Sequence, residues 1–220
     1  MNSQTPAQPP KQAQPVWPAV VALLAVGGLY LALPESLTFG PSWLLLAVTC
    51  VLVVPVSMAR LRGSFVLNQV LGYILLGVVT AFMLWSLLSL VHALLSHQIA
   101  PANLLRAATA LWVTNILVFA SWYWRLDGGG PHARHLRGNH TEGDFLFPQM
   151  TLSPTTQKPL QADWSPGFVD YLFLAFNTST AFSPTDSPVL SRWAKGAMMV
   201  QSSISFATVA LLAARAVNIL

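Results

Sequence analysis

Long apolar stretches, bounded by polar or charged residues, set the pattern of this chain. Val16–Leu33, Trp43–Ala59, Phe65–Val91, Leu104–Trp124 and Gly196–Ala214 carry no acidic side chain and, apart from Arg106 at the start of the fourth, no basic one. The hydrocarbon core of a bilayer is crossed by about 20 residues of helix, so each stretch predicts a transmembrane α-helix. Pro55 is tolerated inside the second, because neighbouring helices satisfy the carbonyl that it frees. The third is long enough to tilt. Tyr171–Phe182 is shorter, apolar at its start and hydroxyl-rich at its end. Runs of roughly 10–14 residues fit a re-entrant or interfacial element better than a full crossing; a polar sixth span is the alternative.

The fold class that follows is all-α, a polytopic transmembrane helical bundle of five spans plus a short re-entrant or sixth helix. Residues 1–15 form a Pro/Gln-rich tail expected to be disordered. Residues 16–124 hold four transmembrane helices, 125–167 a Pro/Gly-rich loop, and 168–220 the short polar-ended helix and the last span. The first run reads as an uncleaved anchor. In the loop no helical or strand period persists, and Phe145–Pro148 is expected to lie against the membrane surface. Trp122, Tyr123 and Trp124 resemble an interfacial aromatic belt, with Arg125 snorkelling to the headgroups. Composition agrees: 54% of the residues are hydrophobic and 8% are charged, against roughly 25% charged in soluble domains.

Charge gives orientation. With the N-terminus in the cytoplasm and Tyr171–Phe182 re-entrant, Lys11, Arg60, Arg62, Arg125, Arg134, Arg137, Lys158, Arg192 and Lys195 fall inside. Arg106 and Arg215 fall outside. A spanning Tyr171–Phe182 exchanges Arg192 and Lys195 for Arg215. Basic residues concentrate on the cytoplasmic side in both cases, so the rule favours this orientation without choosing the number of spans. The formal charge of +4 suits anionic lipid neighbours and is not the dense basic patch of a nucleic-acid binder. Expected partners are the lipid bilayer, further copies of the chain, or another membrane protein.

Catalytic chemistry finds little footing. There is no His-Glu-x-x-His, no G-x-S-x-G and no phosphate-binding glycine loop, so the chain does not read as an enzyme, and no cofactor is expected. No ionisable group lies near the centre of a span, where a coupled transporter would need one. His132, His135 and His140 crowd one loop with Glu142 and Asp144, at spacings that match no standard zinc pattern. They are weak metal candidates in a segment read as flexible. His92 and His97, five apart, read as a solvated pair at the membrane interface. Asn115 and Gln201 are polar groups at membrane depth that bond across helices. Gly72 and Gly77 read as packing positions. The single cysteine, Cys50, allows no intramolecular disulfide.

The most pointed stretch is Asp170–Asp186, DYLFLAFNTSTAFSPTD, followed by a loop with Arg192 and Lys195 and a closing helix. A short aromatic helix, a hydroxyl turn, an acid and a final helix resemble, over Phe168–Asn218, the pore module of two-helix potassium channels. In that family the short helix aims its negative end at a cation, and a ring of carbonyls replaces the hydration shell. The resemblance implies that Asn177, Thr178, Ser179 and Thr180 line a narrow passage, that Asp186 sits at its mouth, and that four copies assemble. The sequence departs from the family in the filter: Thr178–Asp186 holds no glycine, and Pro184 fixes its own φ. The whole chain is also similar to a group of uncharacterised bacterial integral membrane proteins that share the Asp170–Lys195 pattern. That likeness implies a bacterial plasma membrane.

Overall fold

The computed structural model describes residues 15–96, 99–137, 143–151, 164–180 and 187–217. Its helices are α1 (Trp17–Leu31), α2 (Leu44–Leu61), α3 (Phe65–Ser96), α4 (Pro101–Leu126), α5 (Gly130–Arg137), α6 (Phe168–Thr180) and α7 (Arg192–Val217). Prolines open α1 and α4, where the missing N–H is one that no helix bonds internally. Four stretches, containing α2, α3, α4 and α7, are long and apolar enough to cross a membrane, and α1 is a shorter apolar helix. Among the described residues the β-pairing is a single antiparallel bridge between Phe145 and Val189. The chain is an all-α helical bundle of the membrane type.

The core lies around α4, which is buried on most of its length and packs against α1, α3, α6 and α7. The outer faces of α2, α3 and α7 present Val51, Val54, Val66, Leu88, Met199 and Phe206. An apolar surface this continuous is unstable in water and natural in hydrocarbon.

The course of α6 separates the two alternatives left open by its length. Phe168 packs edge-on to Trp124, and Phe176 edge-on to Trp112, so α6 runs antiparallel to α4. Gln201 reaches the carbonyl of Ala175, and Ser205 reaches that of Ser179, so α6 runs parallel to α7. Two parallel helices so close in sequence require the chain to come back between them, and it does. The Leu146 N–H donates to the Pro188 carbonyl and the Leu190 N–H to that of Asp144, at 2.9 and 2.8 Å. Asp144 itself lies at the C-terminal end of α4, where it accepts from the Gly128 N–H. At 1.5 Å per residue α6 is roughly 20 Å long, short of the ~30 Å hydrocarbon core. Its described residues run from one end of the bundle to the level of the middle of α7, and Pro188 and Leu190 lie back at the end where it begins. Among the described residues this is the geometry of a re-entrant helix. Arg60, Arg62, Arg125, Arg134, Arg137, Arg192 and Lys195 share the end where α6 begins, while Arg106 lies at the other.

Three expectations for the charged end need correction. The segment after α4 is not devoid of helix. A 3-10 turn at Asp127–Gly129 leads into α5, and Pro148–Thr151 forms a second such turn. Helix α5 forms because the Arg134 guanidinium folds back onto the carbonyls of Trp124 and Asp127, at 3.0 and 2.6 Å, and so caps α4. Phe145 and Phe147 do not rest on the membrane surface; they are buried among Tyr123, Tyr171, Trp164 and Trp193. The aromatic cluster at the end of α4 is not a lipid-facing belt either. Tyr123 and Trp124 are buried, and Trp122 stacks on Tyr73 while its indole N–H donates to Thr80 at 3.0 Å. Arg125 does not snorkel outward but donates to the Asn68 carbonyl at 3.1 Å.

The link from α4 to α5 passes through Gly128, Gly129 and Gly130, all with φ in the left-handed range. A Cβ on Gly130 would stand 2.8 Å from the Arg125 carbonyl oxygen, and its φ of +92° is one that side-chain-bearing residues avoid. Gly130→Ala is therefore expected to cost about 1–3 kcal/mol, read as an earlier thermal unfolding of the purified protein in detergent. An unchanged midpoint would show that the turn relaxes freely.

Candidate functional site: the re-entrant helix and its supports

The inward face of α6 is set by spacing. Tyr171, Leu174, Ala175 and Thr178 recur at helical intervals and are buried, as is Ser179 beside them. Phe173, Phe176 and Thr180 point outward. Along α7, Gln201, Ser205 and Thr208 fall at intervals of four and three and are also fully buried. These two faces meet against α4 in one polar seam.

Gln201 is the centre of the seam. Its amide nitrogen donates to the Ala175 carbonyl at 2.7 Å and to the Ser179 hydroxyl at 2.8 Å. Its amide oxygen accepts from the Tyr123 hydroxyl at 2.6 Å, and its main-chain oxygen accepts from Asn115 at 3.1 Å. One side chain thus joins α4, α6 and α7. Below it, Ser205 donates to the Ser179 carbonyl at 2.7 Å and accepts from the Trp112 indole at 3.1 Å. The expectation that Asn115 and Gln201 bond across helices is met, and they bond to each other.

At the charged end a second knot holds the start of α6. Asp127 is fully buried. Its carboxylate accepts from the Tyr171 hydroxyl at 2.5 Å and from the Asp144 main-chain N–H. The Arg134 guanidinium lies over the Tyr171 ring, 5.2 Å from its centroid. Asp144 in turn accepts from the Trp193 indole at 2.9 Å, which ties the first turn of α7 to the same point. Buried charges persist where hydrogen bonds satisfy them, and here they fix where α6 enters the bundle.

The five residues expected to line a passage are divided by this geometry. Thr178 and Ser179 face inward: the Thr178 hydroxyl returns to the Leu174 carbonyl, and Ser179 accepts from Gln201. Asn177 is half-buried, and Thr180 is exposed at the tip, its hydroxyl donating to the Phe176 carbonyl at 3.0 Å. Asp186 lies outside the described residues. Asp127, Tyr171, Ser205 and Thr208 were not singled out from the sequence. The stripe Gln201–Ser205–Thr208 on an otherwise apolar helix was the available signal for the last two.

His132 and His135 stand one turn apart on α5, while His140 lies outside the described residues. Among the described residues no group of three metal-ligating side chains comes together. His132 stacks on Phe65, with ring centroids 3.4 Å apart. Its imidazole is held below the ordinary histidine pKa, first by partial loss of water and then by His135 and Arg60 nearby. Both histidines line a cleft of about 700 Å³ at the charged end, together with Arg60 and Arg125.

No protein-family model matches the chain, and no curated protein or solved structure does.

Proposed function

We propose that this is a multipass protein of a bacterial plasma membrane whose α6–α7 unit is a re-entrant module for passive ion conduction, completed when copies of the chain assemble. One observation carries the reading. A half-length helix starts at the same end as the full-length helix beside it, stops within the bundle, and is followed by a return to that end. The last carbonyls of such a helix lack intrahelical partners and carry the negative end of its dipole. Placed at membrane depth, they favour a cation over an anion. In this reading the side chains of Asn177 and Thr180 face the ion at that end. Thr178 and Ser179 hold the helix in place, and Asp186 attracts cations at the mouth. Four copies would close the passage. Without the filter glycines, strict potassium selectivity is not expected.

A second reading, a non-catalytic scaffold or accessory subunit, is favoured by a different observation: the hydroxyls of Thr178 and Ser179 are spent on contacts inside the chain. Purified protein in liposomes separates the two. The conduction reading expects cation flux that changes when Asn177 and Thr180 are both replaced, by leucine and valine. Flux that ignores those replacements would overturn the assignment of the passage. Silence in liposomes, with a second membrane protein retained through purification, would favour the accessory reading.

A further inference from the structure

At the charged end, Arg60 from α2, Arg125 from α4 and His132 and His135 from α5 converge on the cleft of about 700 Å³, and none of the described residues lining it is acidic. Asn68 and Gln69, near the start of the 32-residue α3, complete its wall. The site is built rather than incidental. Gly72 leaves the space that the Arg125 guanidinium fills, for a Cβ there would lie within 1.9 Å of its Nη1. The guanidinium is held by the Asn68 carbonyl and lies 6.0 Å from the centroid of the Trp124 ring. His132 is fixed by its stack on Phe65.

The cleft is flanked by apolar surface. Phe65 and Leu136 in its wall are exposed, as are Leu61 and Val66 beside Arg60 and Phe65 in the chain. A cationic pocket at the end of a span, bordered by exposed apolar side chains, has the polarity profile of one class of ligand. We propose that it binds an anionic amphiphile: a phosphate-bearing headgroup between Arg60, Arg125 and the two histidines, with its acyl chains against the apolar surface beside the cleft. Arginine suits the task because its planar donors match phosphate oxygens in pairs. A soluble phosphate would use the same cations but gain nothing from that surface, which is why the lipid is the expected source.

The test is native mass spectrometry of the full chain released from detergent, titrated with phosphatidylglycerol and with phosphatidylcholine of identical acyl chains. One retained phosphatidylglycerol per chain is expected, bound at least about tenfold tighter than phosphatidylcholine, which carries the same phosphate beside a choline cation that Arg60 and Arg125 repel. Arg60→Gln is expected to erase that preference, whereas Arg106→Gln, at the opposite end, leaves it intact. Gly72→Ala keeps every charge but displaces the Arg125 guanidinium, so it tests the site even if Arg60→Gln does not fold; it is expected to weaken phosphatidylglycerol binding as well. Equal retention of both lipids, or a preference indifferent to Arg60→Gln and Gly72→Ala alike, would overturn the proposal. Full displacement by millimolar inorganic phosphate would overturn it in favour of a site for a soluble anion.

Discussion

Asp127→Ala is expected to lower the thermal midpoint of the purified protein by roughly 6–12 °C, a large effect for one surface-distant carboxylate that touches no lipid. The reason is what the carboxylate leaves behind. The Tyr171 hydroxyl and the Asp144 main-chain N–H both donate to it, and both lose their acceptor in a region closed to water. A buried donor without a partner costs about 1–3 kcal/mol, more where the lost partner was charged, so two of them amount to about 3 kcal/mol. For a domain of this size each kcal/mol moves the midpoint by roughly 2–4 °C. Asp127→Asn keeps one acceptor oxygen and should fall between alanine and the parent. The measurement is fluorescence-detected thermal unfolding in detergent. A shift under about 2 °C for Asp127→Ala, less than one kcal/mol on that scale, would mean that water already reaches the carboxylate and that the knot is not what seats α6.

The knot also marks the limit of what could be read in advance. The long apolar helices are legible because hydrocarbon admits no unpaired backbone, so a crossing helix must write itself as an uninterrupted apolar run. The boundaries are less legible: α7 starts at Arg192 and α3 ends at Ser96, both beyond the apolar stretch, since a helix continues past the hydrocarbon at no cost to its backbone. The apolar run of Tyr171–Phe182 gave the short helix, but its direction was not readable, because length alone does not say to which end the chain returns. That is settled by Phe145–Val189 pairing and by Trp193 reaching Asp144, contacts between segments more than 40 residues apart. The same holds for α5. Its sequence, GPHARHLR, opens on a glycine and a proline and has too few apolar positions for a period to show. What makes it a helix is Arg134 closing on the end of α4. The aromatics from Trp122 to Trp124 matched a belt by composition, yet α4 is the central helix, so Tyr123 and Trp124 are buried against protein.

Gln201→Leu should loosen α6 more than it loosens the bundle. The leucine preserves volume and apolar packing in α7, so the change is confined to three hydrogen bonds: two from the amide nitrogen to Ala175 and Ser179, and one accepted from Tyr123. Interhelical bonds of this kind average about 0.6 kcal/mol in membrane proteins, with a maximum near ~1.7. Three of them predict a loss of about 2 kcal/mol, concentrated where two of the three partners lie. Hydrogen exchange followed by mass spectrometry is expected to show amides of α6 exchanging roughly 30-fold faster, the factor that 2 kcal/mol implies, while those in the middle of α4 are slowed or sped far less. Ser179→Ala removes one of the same bonds, so the double variant should cost less than the sum of the singles. Strict additivity would mean that the Gln201–Ser179 contact contributes nothing. The result bears on function because the last turn of α6 is held by this seam, and among the described residues Thr180 at its tip bonds within its own helix. If the module conducts, Gln201→Leu lets the helix end wander from the ion's path and flux falls although the protein still folds. If the chain is instead an accessory subunit, the same variant frees α6 without any change in permeability, and the partner's retention becomes the property that moves.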